Sequence, residues 1–250
     1  MSAQPLAGKV ALITGGSKGI GRAVALRLAK DGASVVINYS SDASAAEEVV
    51  KSIGSERCLA IQADAGSVSG IEKLVKETVD RFGKIDILIP NAGVAPNADL
   101  EHTTEEMFDR TYNVNVKGPY FLCQKAAPHM PEGSRVILVS TSLCAFSPIT
   151  PNYLLYVSTK GAIEQMNRIL AKDLGRKGIR VNAISPGPTG TDLFYTGKSE
   201  ELLARLASAS PLNKIGDPEE IADVFAILTS QDSRWVAGQV IRVNGGMTVG

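Results

Sequence analysis

Short, continuous apolar runs alternate along the chain with longer stretches in which apolar residues recur every three or four positions. The runs are K-V-A-L-I-T-G at 9–15, S-V-V-I-N at 34–38, the segment 57–62, I-D-I-L-I at 85–89, R-V-I-L-V-S at 135–140, I-R-V-N-A-I at 179–184, and about 239–243. Apolar runs of this length without polar alternation predict strands buried on both faces. Helical spacing between them predicts helices at 19–31, 42–53, 67–82, 104–130 and 153–175. Asp217-Pro218-Glu219-Glu220 predicts a further helix start, with an N-cap, a first-turn proline and acids at the positive dipole end. Such alternation implies parallel pairing through right-handed crossovers, hence an α/β, three-layer, doubly wound parallel sheet in a single domain over 1–250. The one departure is 185–211, rich in Gly, Pro, Ser and Thr, which reads as a long loop, with 188–211 as a lid on the site.

Composition narrows the partners. The 26 basic and 26 acidic residues cancel without blocks of like charge, so no nucleic-acid partner is expected. No apolar run approaches the ~18–20 residues needed to span a bilayer, so no membrane partner is expected either. The N-terminal M-S-A-Q-P-L-A-G-K-V-A-L lacks a basic segment followed by an apolar one, and the expected location is cytoplasmic. Cys58, Cys123 and Cys144 are odd in number and scattered, and His102 and His129 lie near none of them. Neither a disulfide framework nor a metal site is expected from that set.

Doubly wound sheets bind ligands at the carboxyl ends of their strands, near the point where strand order reverses. T-G-G-S-K-G-I-G at 14–21 falls at the first such end. Gly15 suits a tight turn, Gly19 lets backbone approach a pyrophosphate, and Gly21 permits close helix–strand packing, as in a Rossmann dinucleotide fold. The helix that starts there offers free N–H groups to phosphate. P-N-A-G at 90–93 follows the fourth strand, where Asn91 can bridge main chains while Ala92 and Gly93 leave room for an adenosine ribose. Ser140 and Ser142 stand at the fifth strand end. Neither histidine joins them and no G-x-S-x-G surrounds them, which disfavours nucleophilic hydrolysis. Asn115 is a mediocre helix former inside a predicted helix, and an asparagine that perturbs the ladder could bind a water. Tyr156 and Lys160, four apart, share one helix face, whereas Tyr153 has Val157 at that distance. Taken alone, such a pair is far more often a half-buried ring beside a solvated amine.

Together these motifs resemble the short-chain dehydrogenase/reductase family over essentially the whole chain. T-G-x-x-x-G-I-G at 14–21, Asp64 after the third strand, N-A-G at 91–93, Asn115, Ser142, Y-x-x-x-K at 156–160 and P-G at 186–187 all fall in the family's order. Two departures stand out. Pro90 replaces an asparagine usual in the family, and Ser142 lies fourteen residues before Tyr156, one more than the commonest spacing. That longer loop, and V-V-I-N-Y-S at 35–40, are similar to fungal polyhydroxynaphthalene reductases. Ser142 is preferred to Ser140 because S-L-C-A matches the family's S-x-x-G/A pattern.

The resemblance implies an NADP(H)-dependent oxidoreductase moving hydride between nicotinamide and a ketone or secondary alcohol. It assigns the proton to Tyr156, a hydrogen bond on the same oxygen to Ser142, the nicotinamide ribose to Lys160, and a water to Asn115. Cofactor contacts would come from Gly15, Ser17, Lys18, Gly19, Ile20 and Gly21, from Asn38, Tyr39, Ser40 and Ser41, and from Asp64 and Ala65. Asn91, Ala92, Gly93, Tyr156, Lys160, Pro186, Gly187, Thr189 and Thr191 complete the set. The second strand ends N-Y-S-S with no carboxylate before Asp42, so a 2′-phosphate is expected rather than a bare ribose. Hydroxyls and the Asn38 amide would donate to it and Lys18 would pair with it, while Asp42 caps the next helix. Leu143, Leu193, Phe194 and Tyr195 suggest an apolar or aromatic ketone. A 3-oxoacyl-[acyl-carrier-protein] substrate is the alternative. A nucleotide-sensing regulator without turnover is a third reading, opposed by the intact Ser142, Tyr156 and Lys160. A homotetramer is also implied, with 114–130 and 153–175 pairing across a two-fold axis and V-N-G-G-M-T-V-G near another contact.

Overall fold

The structure is a computed structural model that describes residues 4–249, apart from the side chain of Leu193. Its first half runs β1 (Val10–Ile13), α1 (Gly19–Lys30), β2 (Ser34–Tyr39), α2 (Ala43–Ile53), β3 (Cys58–Gln62), α3 (Val68–Phe82), β4 (Ile87–Ile89), α4 (Glu105–Tyr112) and α5 (Gly118–Ala126). The second half runs β5 (Arg135–Val139), α6 (Leu154–Asp173), β6 (Arg180–Pro186), α7 (Asp192–Tyr195), α8 (Glu200–Ser208), α9 (Pro218–Thr229) and β7 (Val240–Val243). The strands form one seven-stranded sheet in the order β3-β2-β1-β4-β5-β6-β7. Every neighbouring pair is parallel. Strand order reverses between β1 and β4, so the glycine turn after β1 opens at the switch point.

The apolar runs are explained by two cores. Ala11, Ile13, Val35, Ile37, Ile137 and Val139 face α1, α2 and α9, where Val24, Leu28, Val49 and Phe225 pack on them. The alternate residues Leu12, Val36, Leu88, Val136 and Leu138 face α3, α5 and α6, meeting Ile71, Leu74, Leu122 and Ile163. Period-two alternation is therefore present in direction but invisible in hydropathy, because both faces are covered. The expected helix start at Asp217 is present as α9, and Asp217 and Glu220 form a capping box there. Among the described residues no helix is long and apolar enough to cross a membrane.

Two expectations need correction. The 185–211 segment is not a plain loop: it carries α7 and α8. Its composition outweighed a local helix signal, namely Ser199 accepting from Leu202 N, Glu200 and Glu201 in the first turn, and Leu202, Leu203 and Leu206 at helical spacing. The 104–130 helix is also interrupted, by a π turn at Asn113–Lys117 in which Gly118 N–H donates to Asn113 O. Pro119 follows at once, and a proline near a helix start has no intrahelical N–H to lose.

Candidate active site

At the end of β1 the glycine turn is shaped by what a side chain would strike. Gly15 has φ +63°, and a Cβ there would stand 3.1 Å from Ala92 Cα. A Cβ on Gly21 would lie 2.2 Å from Gly15 O and 2.6 Å from Asn91 Nδ2, so α1 starts flush against the turn. Asn91 donates to Thr14 O (2.9 Å) and Gly15 O (3.2 Å), bridging main chains as expected. Thr14 completes the join, because its hydroxyl accepts from both Asn91 N and Ala92 N at 3.0 Å. The ends of β1 and β4 are thus locked together beneath the free N–H groups of α1, an arrangement suited to a phosphate.

The proton-transfer candidates stand beside this turn. Tyr156 and Lys160 occupy successive turns of α6, with Lys160 Nζ 5.7 Å from the Tyr156 ring centroid. The lysine is 5% exposed and donates to Val139 O (2.8 Å), the last carbonyl of β5. Burial lowers its pKa to about 8 and pushes the Tyr156 phenol up to about 12, the latter opposed by a hydrogen bond with the Thr141 hydroxyl. A Cβ on Gly93 would stand 3.6 Å from Lys160 Nζ and 3.4 Å from Asn115 Oδ1, so the N-A-G turn reaches the same spot. Asn115 Oδ1 accepts from Val94 N (2.9 Å), and its amide donates to Val94 O (2.8 Å) and Thr159 Oγ1 (3.1 Å). Both amide protons are thus committed, while one lone pair of Oδ1 stays open. Ser142 starts a 3₁₀ turn after β5 and donates to Ser185 O (3.0 Å), while Ser140 donates to Glu164 Oε1 (2.8 Å) on α6.

At the far end of the cleft, one expected contact is corrected. Asn38 does not present its amide to a ligand. It is 2% exposed, donates to Tyr39 O, Ile61 O and Ala63 O, and accepts from Gly15 N. A short polar side chain at a strand end serves the main chains around it first. Ser40 and Ser41 are exposed, and Tyr39 packs against the core. Asp42 caps α2 by accepting from Ala45 N (3.0 Å), as expected, and also pairs with Lys18 Nζ at 2.5 Å. Asp64 accepts from Gly66 N (2.8 Å) and Ala65 O lies against Gly118, where a Cβ would come within 2.3 Å. Ser17 is buried and Ile20 packs on the first core.

The final stretch of the site follows β6. Gly187 N donates to Val243 O (2.9 Å), next to Pro186. Thr189 turns its hydroxyl to Gly187 O (2.9 Å), whereas Thr191 caps α7 and packs over Gly19, its Cγ2 3.0 Å from where a Cβ would be. Phe194 and Tyr195 meet edge to face at 5.6 Å. The Leu193 side chain lies outside the described residues. Thr14, Glu164, Thr159 and Gly118 were missed by sequence reasoning. Glu164 carried a signal, standing four beyond Lys160 as Lys160 stands four beyond Tyr156.

Comparison with known proteins places this geometry in context. A family model described as Enoyl-(Acyl carrier protein) reductase matches residues 15–248. "Short chain dehydrogenase/reductase AacuN" of Aspergillus aculeatus is 43% identical, with 96% of each chain covered. "Hydroxynaphthalene reductase arp2" of Aspergillus fumigatus is 42% identical over 94% of this chain and 90% of that one. Among solved structures, the angucycline C-6 ketoreductase LanV with bound NADP superposes with a TM-score of 0.91, at 38% identity and 98% coverage of both chains.

Proposed function

Because the chain belongs to the short-chain dehydrogenase/reductase family, we propose that it is an NADPH-dependent carbonyl reductase that runs reversibly as an alcohol dehydrogenase. The observation that carries this reading is the Tyr156–Lys160 pair, one helical turn apart at the carboxyl edge of the sheet beside the glycine turn. A dinucleotide fits the residues present. Gly15 and Gly21 let the turn after β1 pack flush against Asn91 and Ala92, and the start of α1 so placed presents its N–H groups to a pyrophosphate. Lys18, Ser40 and Ser41 would meet a 2′-phosphate, and Asn91, Ala92, Gly93, Pro186, Gly187, Thr189 and Thr191 would line the rest.

The nicotinamide supplies hydride when bound. Tyr156 gives its phenolic proton to the carbonyl oxygen of the substrate, and takes it back in the reverse direction. Lys160 remains cationic below its lowered pKa and favours the phenolate left behind. A hydroxyl from the corner after β5 holds the same oxygen. The relatives named hydroxynaphthalene reductase and angucycline ketoreductase favour an aromatic ketone as substrate, under Phe194 and Tyr195, over a 3-oxoacyl thioester.

Tyr156→Phe is expected to lower turnover by at least ~10²-fold with NADPH affinity little changed, while Tyr153→Phe keeps most activity. NADPH oxidation across aryl ketones, 3-oxoacyl thioesters and an enoyl thioester control measures this. A dead Tyr153→Phe beside an active Tyr156→Phe would sink the assignment. Exposed Phe108, Tyr120, Leu154 and Ile169 on α4, α5 and α6 support the homotetramer, and Ile227 with the 96%-exposed Trp235 supports its second contact. Light scattering at micromolar concentration should report four chains, and a monomer mass would refute it.

A further inference from the structure

Three hydroxyl side chains, Ser140, Thr141 and Ser142, stand in sequence where β5 ends, and each has a different partner. Ser140 N donates to Ile184 O (2.8 Å), and two residues on Ser142 Oγ donates to Ser185 O (3.0 Å). The Ser142 hydroxyl therefore adds a rung to the β5–β6 ladder. A hydroxyl carries one proton, and that of Ser142 is committed to a main-chain carbonyl in a side chain 1% exposed. Turning it toward a ligand would leave Ser185 O without this donor in the interior, beside a Ser185 hydroxyl that already lacks a partner.

Thr141 is arranged the opposite way. Its Oγ1 accepts from Leu143 N (3.4 Å), which occupies a lone pair and leaves the hydroxyl proton free to give. The residue is extended, φ −154° and ψ 142°, continuing the strand direction one step past Ser140, whose own hydroxyl is held by Glu164. The Thr141 hydroxyl is also the neighbour that holds the Tyr156 phenol down against the rise that burial imposes.

We propose that Thr141, rather than Ser142, gives the hydrogen bond that holds the substrate oxygen beside Tyr156. This rests on the reading of the chain as a carbonyl reductase. Thr141 transfers no proton. Hydride adds to the carbonyl carbon from the dihydronicotinamide, which is oxidised. The Tyr156 proton goes to the oxygen, and Thr141 donates to that oxygen throughout. Ser142 is then a positioning residue that fixes the corner from which Thr141 reaches.

The test compares Thr141→Val, Thr141→Ser, Ser142→Ala and Tyr156→Phe on one good ketone with NADPH. Thr141→Val keeps the shape and removes the hydroxyl, and should lower kcat by roughly 10²-fold with the KM for NADPH within about twofold. Thr141→Ser should recover most of that loss. Ser142→Ala should lower Tm and cost at least about tenfold less turnover than Thr141→Val. In alcohol oxidation the rising limb should move to higher pH in Thr141→Val, because the lost hydrogen bond favoured the phenolate, and stay in place in Ser142→Ala. A Thr141→Val enzyme with near-native turnover beside a dead Tyr156→Phe overturns this proposal alone, and so do equal losses in Thr141→Val and Ser142→Ala. An active Tyr156→Phe overturns the reductase reading and this proposal with it.

Discussion

Adding one methyl group at Gly21 tests the architecture of the glycine turn most directly. A Cβ there would stand 2.2 Å from Gly15 O and 2.6 Å from Asn91 Nδ2. Neither neighbour is the free end of a flexible side chain. Gly15 O is backbone, and the Asn91 amide is held by Thr14 O and Gly15 O. Restoring ordinary contact therefore moves the start of α1 off the β1–β4 join by about an ångström, and such overpacking costs ~1–3 kcal/mol. For a chain of this size that corresponds to a Tm lower by about 2–12 °C. The same shift displaces N–H groups that must hold phosphate to within ~0.5 Å, so NADPH affinity should fall at least about tenfold. Thermal unfolding by circular dichroism and titration of NADPH fluorescence read the two effects. Gly161→Ala is the control, since nothing lies within 4 Å of its Cβ in the middle of α6, and helix propensity alone should add ~1 kcal/mol. A Gly21→Ala protein with native Tm and native NADPH affinity would refute the reasoning.

Two further outcomes follow from charge. Native kcat/KM should favour NADPH over NADH, Lys18→Ala should cut that preference roughly tenfold, and Asp42→Asn, which keeps an acceptor for Ala45 N, should increase it by freeing Lys18. A native preference for NADH, or a preference undiminished in Lys18→Ala, contradicts the reading of the 2′-phosphate. Ketone reduction requires Tyr156 protonated and Lys160 cationic. With Lys160 lowered to about 8 and Tyr156 raised to about 12, kcat/KM should fall as pH rises through about 8, and a profile flat to pH 10 would remove Lys160 from that role.

The sheet was legible because parallel strands covered on both faces must be apolar throughout, and all seven predicted runs became strands within a few residues. Asn91 was legible for a related reason, since a turn between two buried strands leaves main-chain groups that something must satisfy. The same requirement misled at Asn38. Its place after the glycine motif suggested a ligand contact, yet three carbonyls and the Gly15 N–H around it had first claim. Sequence marks a polar side chain at a strand end without saying whether the protein or the ligand takes its hydrogen bonds. Composition misled at 185–211, where turn-forming residues surround α8, a helix none of whose residues is buried. Its leucines satisfy helical spacing without a core to face.

The same ambiguity decides Ser140, Thr141 and Ser142. All three carry one hydroxyl, and no spacing rule separates them, because counting back from Tyr156 crosses the whole of the 146–152 loop before it reaches the strand. Counting forward along β5 is firmer, since the ladder with β6 fixes each step through Val139↔Ile184 and the Ser140 N to Ile184 O bond. Along that count the first hydroxyl goes to Glu164 and the third to Ser185 O, and the middle one remains beside the phenol. The glutamate that claims Ser140 lies on the same helix face as Tyr156 and Lys160, so one face of α6 orders the corner as well as the proton donor. Removing that claim with Glu164→Ala, which leaves no acceptor for the Ser140 hydroxyl, would free Ser140 while leaving the Thr141 hydroxyl beside Tyr156, which is why the hydroxyl count at this corner cannot be read from the motif alone.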